Sequence, residues 1–223
     1  LIDVPSLVKA TEEKSRAECR RRLDMVKKAA GNRIKLECVT KEIVLGAAHD
    51  TAAYEARYND FALLPWAKDT IAAQDMAQTV VFDSGRPTIL IPASNKPASL
   101  KHIAIAWDGS AVAARALWDA LPFLHKGGQI SVLTVRDEKV LSGPDLARKL
   151  ATQLQQRDTK AEAVDVKLRN REIAEALQEA AIEAGAQMMA MGGFGHSRLR
   201  DFFLGGATAG VLSKLQLPVL LSH

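Results

Sequence analysis

The sequence predicts an α/β fold in which helices cover parallel sheets, arranged as two tandem copies with five strands in the C-terminal one. Two observations lead there. From Lys101 onward, short apolar runs alternate strictly with helix-periodic stretches, the pattern of strand–helix–strand crossovers. Before Lys101, the later part of that same order recurs, in composition as well as in sequence of elements.

In the C-terminal copy, residues 101–223, His102 to Trp107 (HIAIAW) reads as the opening strand. Ser110 to about Leu124 follows as a helix that Pro122 should kink or end, because proline lacks the N–H and crowds the preceding turn. Gln129 to Val135 (QISVLTV) is the second strand, entered through Gly127 and Gly128. A helix near Asp145 to Gln156 precedes AEAVDVKL near Ala161 to Leu168, whose alternation fits a half-exposed edge strand. Ile173 to Glu183 is helical and stops at Gly185, as a C-cap glycine directs. A strand at Gln187 to Met191, a glycine-bearing loop, a helix from about Ala207 to Lys214 and a final strand Pro218 to Leu221 complete the unit.

The N-terminal copy, residues 1–95, starts late in this order. A helix from about Ser6 to Ala30 matches Asp145 to Gln156, and IKLECVTKE at Ile34 to Glu42 matches the edge strand. A helix to about Tyr58 precedes NDFALLP at Asn59 to Pro65, the counterpart of GAQMMAMGG at Gly185 to Gly193. GRPTILIPAS at Gly85 to Ser94 parallels QLPVLLSH at Gln216 to His223, each a proline followed by an apolar run. The opening strand, helix and strand have no counterpart, so the sequence predicts an incomplete N-terminal copy and a further segment before Leu1. Pro92 to Leu100, rich in Pro, Ser and Ala, reads as the linker.

With 48% hydrophobic and 25% charged residues, the chain has an ordinary globular composition, which excludes disordered, fibrous and collagen-like classes. No apolar run approaches the roughly 18 residues a membrane span needs, and no basic-then-apolar leader opens the sequence, so a cytoplasmic protein without membrane partners is expected. Cys19 and Cys38 show neither disulfide-framework nor metal-ligand spacing and read as free thiols. Thirty basic against 26 acidic residues leave a net charge of +4, without the basic stripe of a specific nucleic-acid binder. The densest basic run, Arg20 to Arg22 with Lys27 and Lys28, shares its helix with Glu12, Glu13, Glu18 and Asp24 and reads as a solvated face.

Chemistry points to the last strand-to-helix connection, where the glycines are spaced Gly192-x2-Gly195-x9-Gly205. Exposed N–H groups in a glycine loop that opens a helix form an anion site, and glycine lets a ligand approach the backbone closely. This segment resembles the signature of the universal stress protein family, Gly-x2-Gly-x9-Gly-Ser/Thr before the last helix and strand. The resemblance covers nearly all of residues 101–223 and includes the opening strand ending Ala106-Trp107-Asp108-Gly109-Ser110. It implies two tandem Rossmann-like domains of the adenine nucleotide alpha hydrolase-like group, with a nucleotide at the carboxyl ends of the strands. Ala106, Asp108 and Val135 would then contact the adenosine portion, while Met191, Gly192, Gly195, Gly205, Gly206, Ala207 and Thr208 would surround ribose and phosphates. The implied cofactor is ATP, with or without Mg²⁺. One departure is Gly206, which stands where ATP-binding members usually carry Ser or Thr. Trp107 is another, since its ring could stack on the base or fill its place. Read structurally, the same glycines serve only tight turns and close helix packing, and the chain then needs no cofactor. In the N-terminal copy the matching loop, Trp66 to Met76, has no glycine and should not bind nucleotide.

Competing motifs fail. Gly193-Phe-Gly195-x-x-Arg198 has arginine where a dinucleotide fingerprint needs its third glycine, and Val211 replaces the lysine of a phosphate loop. Gly195-His-Ser-Arg-Leu199 departs from a nucleophile elbow at Leu199, which leaves a hydrolase using Ser197 and His196 as a weaker alternative. His49, His102 and His125 are scattered and read as structural or surface groups. No catalytic residue and no metal ligand identifies itself, so the chain reads as a sensor or binder before an enzyme, and the family resemblance implies a stress-response sensor or regulator. Slow ATP hydrolysis needs only oriented phosphates and water. Members of this family commonly pair their last strands, which implies that Thr88 to Ile91 meets Val219 to Leu221 as an internal pseudo-dimer. Two chains should associate further as a homodimer, and a purely structural dimerisation module is the alternative reading.

Overall fold

The computed structural model describes residues 3–32, 34–44, 46–67, 70–94, 99–135, 145–193, 210–212 and 214–223. The chain divides into two compact units, Leu1–Val44 and Leu45–His223. In the first, α1 runs Val4–Ala30, longer by two residues at its start than the periodicity indicates, because Asp3 caps it by accepting the Ser6 N–H at 3.3 Å and a proline sits in its first turn. Gly31, at φ +54°, ends it. Residues 34–44 form no strand, contrary to the reading of Ile34 to Glu42. Alternation alone does not make a strand: its N–H and C=O groups need a ladder partner, and the described residues provide none. Ile34 and Val39 accordingly stay exposed.

The second unit holds α2 (Ala48–Ala56), β1 (Ala62–Trp66), α3 (Ile71–Asp83), β2 (Thr88–Pro92), β3 (His102–Ala106), α4 (Ala111–Ala120), β4 (Gln129–Val135), α5 (Leu146–Gln155), β5 (Lys160–Val166), α6 (Ile173–Glu183), β6 (Met188–Gly192) and β7 (Val219–Ser222). As expected, α4 gives way before Pro122, which lies in a short 3₁₀ turn at Leu121–Phe123. Gly185 sits at φ +80° after α6. Its N–H donates to the Ile182 carbonyl and that of Ala186 to the Ala181 carbonyl, both at 2.9 Å, the pair of bonds that a glycine-terminated helix uses to satisfy its last carbonyls.

The strands form one seven-stranded sheet in the order β1-β2-β7-β6-β3-β4-β5. The five strands of residues 101–223 are mutually parallel, with β5 at the edge that its alternation indicates. The anticipated pairing of β2 with β7 is present and antiparallel, with Thr88 opposite Leu221, Ile89 opposite Leu220 and Leu90 opposite Val219. This register is symmetric about Ile89 and Leu220, so the bonding reads alike from either strand. The flanking strands follow suit: the Ala62 N–H reaches the Pro87 carbonyl at 3.0 Å, and the Met189 N–H reaches the Pro218 carbonyl at 2.9 Å.

Central strands such as HIAIA and MMAMG are apolar on both sides because helices cover both faces. One face packs Ala104, Leu133, Met189, Met191, Val219 and Leu221 with α3, α6 and residues 211 and 212. The other packs Ile103, Ile105, Ile130, Val132, Ala190 and Leu220 with α4 and α5. Each large side chain fully buried this way contributes about 1.5–3 kcal/mol. No helix among the described residues is long and apolar enough to cross a membrane.

Candidate functional site at the carboxyl ends of the central strands

From β3 the chain runs outward to β4 and β5, then returns across β3 to β6 and β7. β3 and β6 are therefore neighbours whose following connections leave in opposite directions, the arrangement that opens a crevice at the carboxyl end of a parallel sheet. Strand alternation decides what lines it. Ala106, Val135 and Met191 all join the cluster on the α6 face, with Met191 buried and the other two half-buried. Trp107, one residue on from Ala106, turns to the opposite face and packs with the α4–α5 cluster. Its ring thus packs on the face away from Ala106 and Val135.

The end of β3 is held firmly. The Trp107 N–H donates to the Leu133 carbonyl at 2.8 Å, and the Thr134 hydroxyl donates to the Trp107 carbonyl at 2.9 Å. Beyond it, Asp108 Oδ1 accepts the Ser110 N–H at 2.9 Å, and Ser110 Oγ accepts the Ala113 N–H at 3.2 Å as the N-cap of α4. Gly109 bridges them at φ +78°, a conformation that costs glycine nothing. Asp108 Oδ2 has no hydrogen-bond partner among the described residues.

Gly192 closes the other side, and its smallness has a packing cause that its spacing does not disclose. A Cβ built there would lie 2.6 Å from Val112 Cγ2 and 2.9 Å from the Ala113 nitrogen, so the first turn of α4 rests directly on the end of β6. Gly210 does the same for Ala174 of α6, at 2.6 Å. Gly193 donates its N–H to the Ser222 carbonyl at 2.8 Å. Gly195, Gly205, Gly206, Ala207 and Thr208, with His196 and Ser197, lie outside the described residues.

At the corresponding place, the end of β1, the register equates Pro65 and Trp66 with Gly192 and Gly193. Trp66 is buried, and its indole N–H donates to the Leu212 carbonyl at 2.8 Å. Sequence reasoning passed over this anchor, although a tryptophan standing where the other half has glycine was its signal. A cavity of about 300 Å³ lies elsewhere, between α5 and the edge strand β5, lined by Asp145, Arg148, Thr152, Gln155, Glu162 and Asp165. Among the described residues no group of His, Cys, Asp and Glu is placed to hold a metal ion.

The model of the universal stress protein family matches residues 99–223. Among solved structures, a universal stress protein from Archaeoglobus fulgidus DSM 4304 superposes with a TM-score of 0.75 at 19% identity, covering 99% of this chain and 80% of that one. A functionally unknown protein from Pseudomonas aeruginosa PAO1 gives a TM-score of 0.54 at 14% identity, covering 92% of this chain and 77% of that one. No curated protein matches the sequence. The structural likenesses speak for the fold, and the family match extends over more than half of the residues: this chain belongs to the universal stress protein family.

Proposed function

We propose that the chain binds an adenine nucleotide, ATP with or without Mg²⁺, at the carboxyl ends of β3, β4 and β6, and serves as a cytoplasmic stress-response sensor or regulator. The observation that carries this reading is the convergence of Ala106, Val135 and Met191 on one face at the switch point, with Asp108 next in the chain. A flat apolar base suits such a floor, and Asp108 Oδ2 suits a ribose hydroxyl. Gly195, Gly205, Gly206, Ala207 and Thr208 would carry the phosphates through main-chain N–H groups and the Thr208 hydroxyl. The half before Lys101 takes no nucleotide, because Pro65 and the buried Trp66 stand where the other half has glycines. Two chains are proposed to form a homodimer.

Denaturing freshly purified protein and identifying the released small molecules by mass spectrometry tests the binding, with calorimetric titration of ATP as the second measurement. Asp108→Ala should weaken ATP binding about 10-fold or more, the usual worth of a hydrogen bond to a charged group. Neither released nucleotide nor heat up to millimolar ATP would overturn the reading. The second reading would then stand, a structural dimerisation module, which the close packing of Gly192 on α4 favours.

A further inference from the structure

At the opposite end of the sheet from the candidate site, His102 is buried at the start of β3 within a closed set of hydrogen bonds. Its Nε2 lies 2.8 Å from Ser131 Oγ, and Ser131 Oγ donates to Glu162 Oε1 at 2.7 Å. Ser131 has one proton, and the carboxylate takes it. The hydroxyl can therefore only accept from the ring, which fixes the proton of neutral His102 on Nε2. Nδ1 must then be an acceptor, and the Gln129 amide nitrogen, 3.0 Å away, supplies the donor. Every group in the chain Gln129–His102–Ser131–Glu162 is satisfied in one direction only, and the chain ties β3 to β4 and β5.

The end of α6 also lies close to the ring: a Cβ built on Gly185, which follows the C-cap residue Ala184, would stand 4.0 Å from Nδ1, and main-chain carbonyl there favours the cation. Helix C-termini carry partial negative charge and favour a cationic imidazole. Of the elements packed around the ring, β4 presents the uncharged Gln129 and Ser131, β5 presents the Glu162 carboxylate, and the end of α6 presents main-chain carbonyl oxygen.

We propose that His102 is a two-position proton switch: neutral, its Nδ1 accepts from Gln129 and ties β3 to β4; protonated, the same nitrogen becomes a donor, turns toward the main-chain carbonyls that end α6, and the tie to β4 is released. The balance is simple. A proton from solvent adds to the Nδ1 lone pair, one N–H bond forms, and nothing else is broken covalently. An Nδ1–H opposite the Gln129 N–H₂ places donor against donor, so the ring and the amide part. Burial, the largest influence, favours the neutral ring and holds the pKa below the ordinary histidine value, while the Glu162 charge and the Ala184 carbonyl favour the cation.

The test is a ring-proton and side-chain amide NMR titration of the full chain between pH 8 and 5, with His102 assigned by its loss in His102→Gln. If that variant fails to fold, substituting the other four histidines in turn assigns it by elimination. The expected result is a His102 midpoint below the ordinary histidine value of about 6.5, moved further down in Glu162→Gln, with the Gln129 side-chain amide shifting at the same midpoint. Hydrogen exchange of residues 127–129, corrected for intrinsic rates, should rise several-fold across it. A midpoint at the ordinary histidine value and unmoved in Glu162→Gln would overturn the proposal. So would an unchanged exchange rate, which would mean that Gln129 simply turns its amide over and keeps the tie.

Discussion

Gly192 shows how one residue serves two arguments. Its place in the glycine spacing was plain in the sequence, but the contact that forbids a side chain was not, because it comes from α4, distant in the chain. Gly192→Ala should therefore destabilise the fold by about 1–3 kcal/mol, read from the denaturant midpoint, whether or not nucleotide binds. Asp108 is the cleaner probe of binding, since its exposed turn takes substitution without disturbing the core. Trp107 was legible as a bulky residue near the crevice and not as a residue on its far face, for alternation becomes decisive only once the register of Ala106 is known. His102 adds a pH dependence of definite sign. Burial lowers its pKa in the fold, so the unfolded chain binds the proton more readily. The stability this adds is complete above about pH 6.5, the ordinary histidine value, and is lost as pH falls through the lowered one. Melting temperatures at pH 7.5 and 5.5 should differ more for the native chain than for His102→Gln.

Among elements, those with a partner nearby in sequence were readable almost to the residue: β4 and α6 begin and end where their patterns do. Residues 34–44 were misread for the complementary reason. Their alternation matches that of β5, but β5 pairs with β4, whereas the described residues bring no strand beside 34–44. Their amides should exchange within seconds at neutral pH, while those of β3 and β4 stay protected for hours, as hydrogen-exchange mass spectrometry would record. Helix ends hold similar local devices. Arg57 donates through Nε and Nη2 to the carbonyl of Asp83, the last residue of α3, and Arg86 donates to the carbonyl of Arg57, the C-cap of α2. Trp66→Phe keeps an aromatic six-membered ring but removes the pyrrole part of the buried indole and with it the donor to the Leu212 carbonyl, and chemical denaturation should show a loss of about 1–3 kcal/mol.

For the molecule as a whole, the parallel order of the last five strands follows from the crossover pattern, and the β2–β7 junction from the likeness of their endings. What no pattern disclosed was its symmetry about Ile89 and Leu220. Both are buried, so Ile89→Asp places an unpaired carboxylate in the junction and should cost more than about 3 kcal/mol. Limited proteolysis should then cut between residues 45 and 94 first, leaving β3 to β7 resistant. The outer rim of β1 carries a different consequence. Ala62 turns its N–H toward β2, so in a strand of alternating direction Pro65 turns its ring nitrogen to the other side, where no strand among the described residues pairs. A strand side interrupted there by a residue with no hydrogen to give offers one backbone donor fewer to whatever chain lies against it.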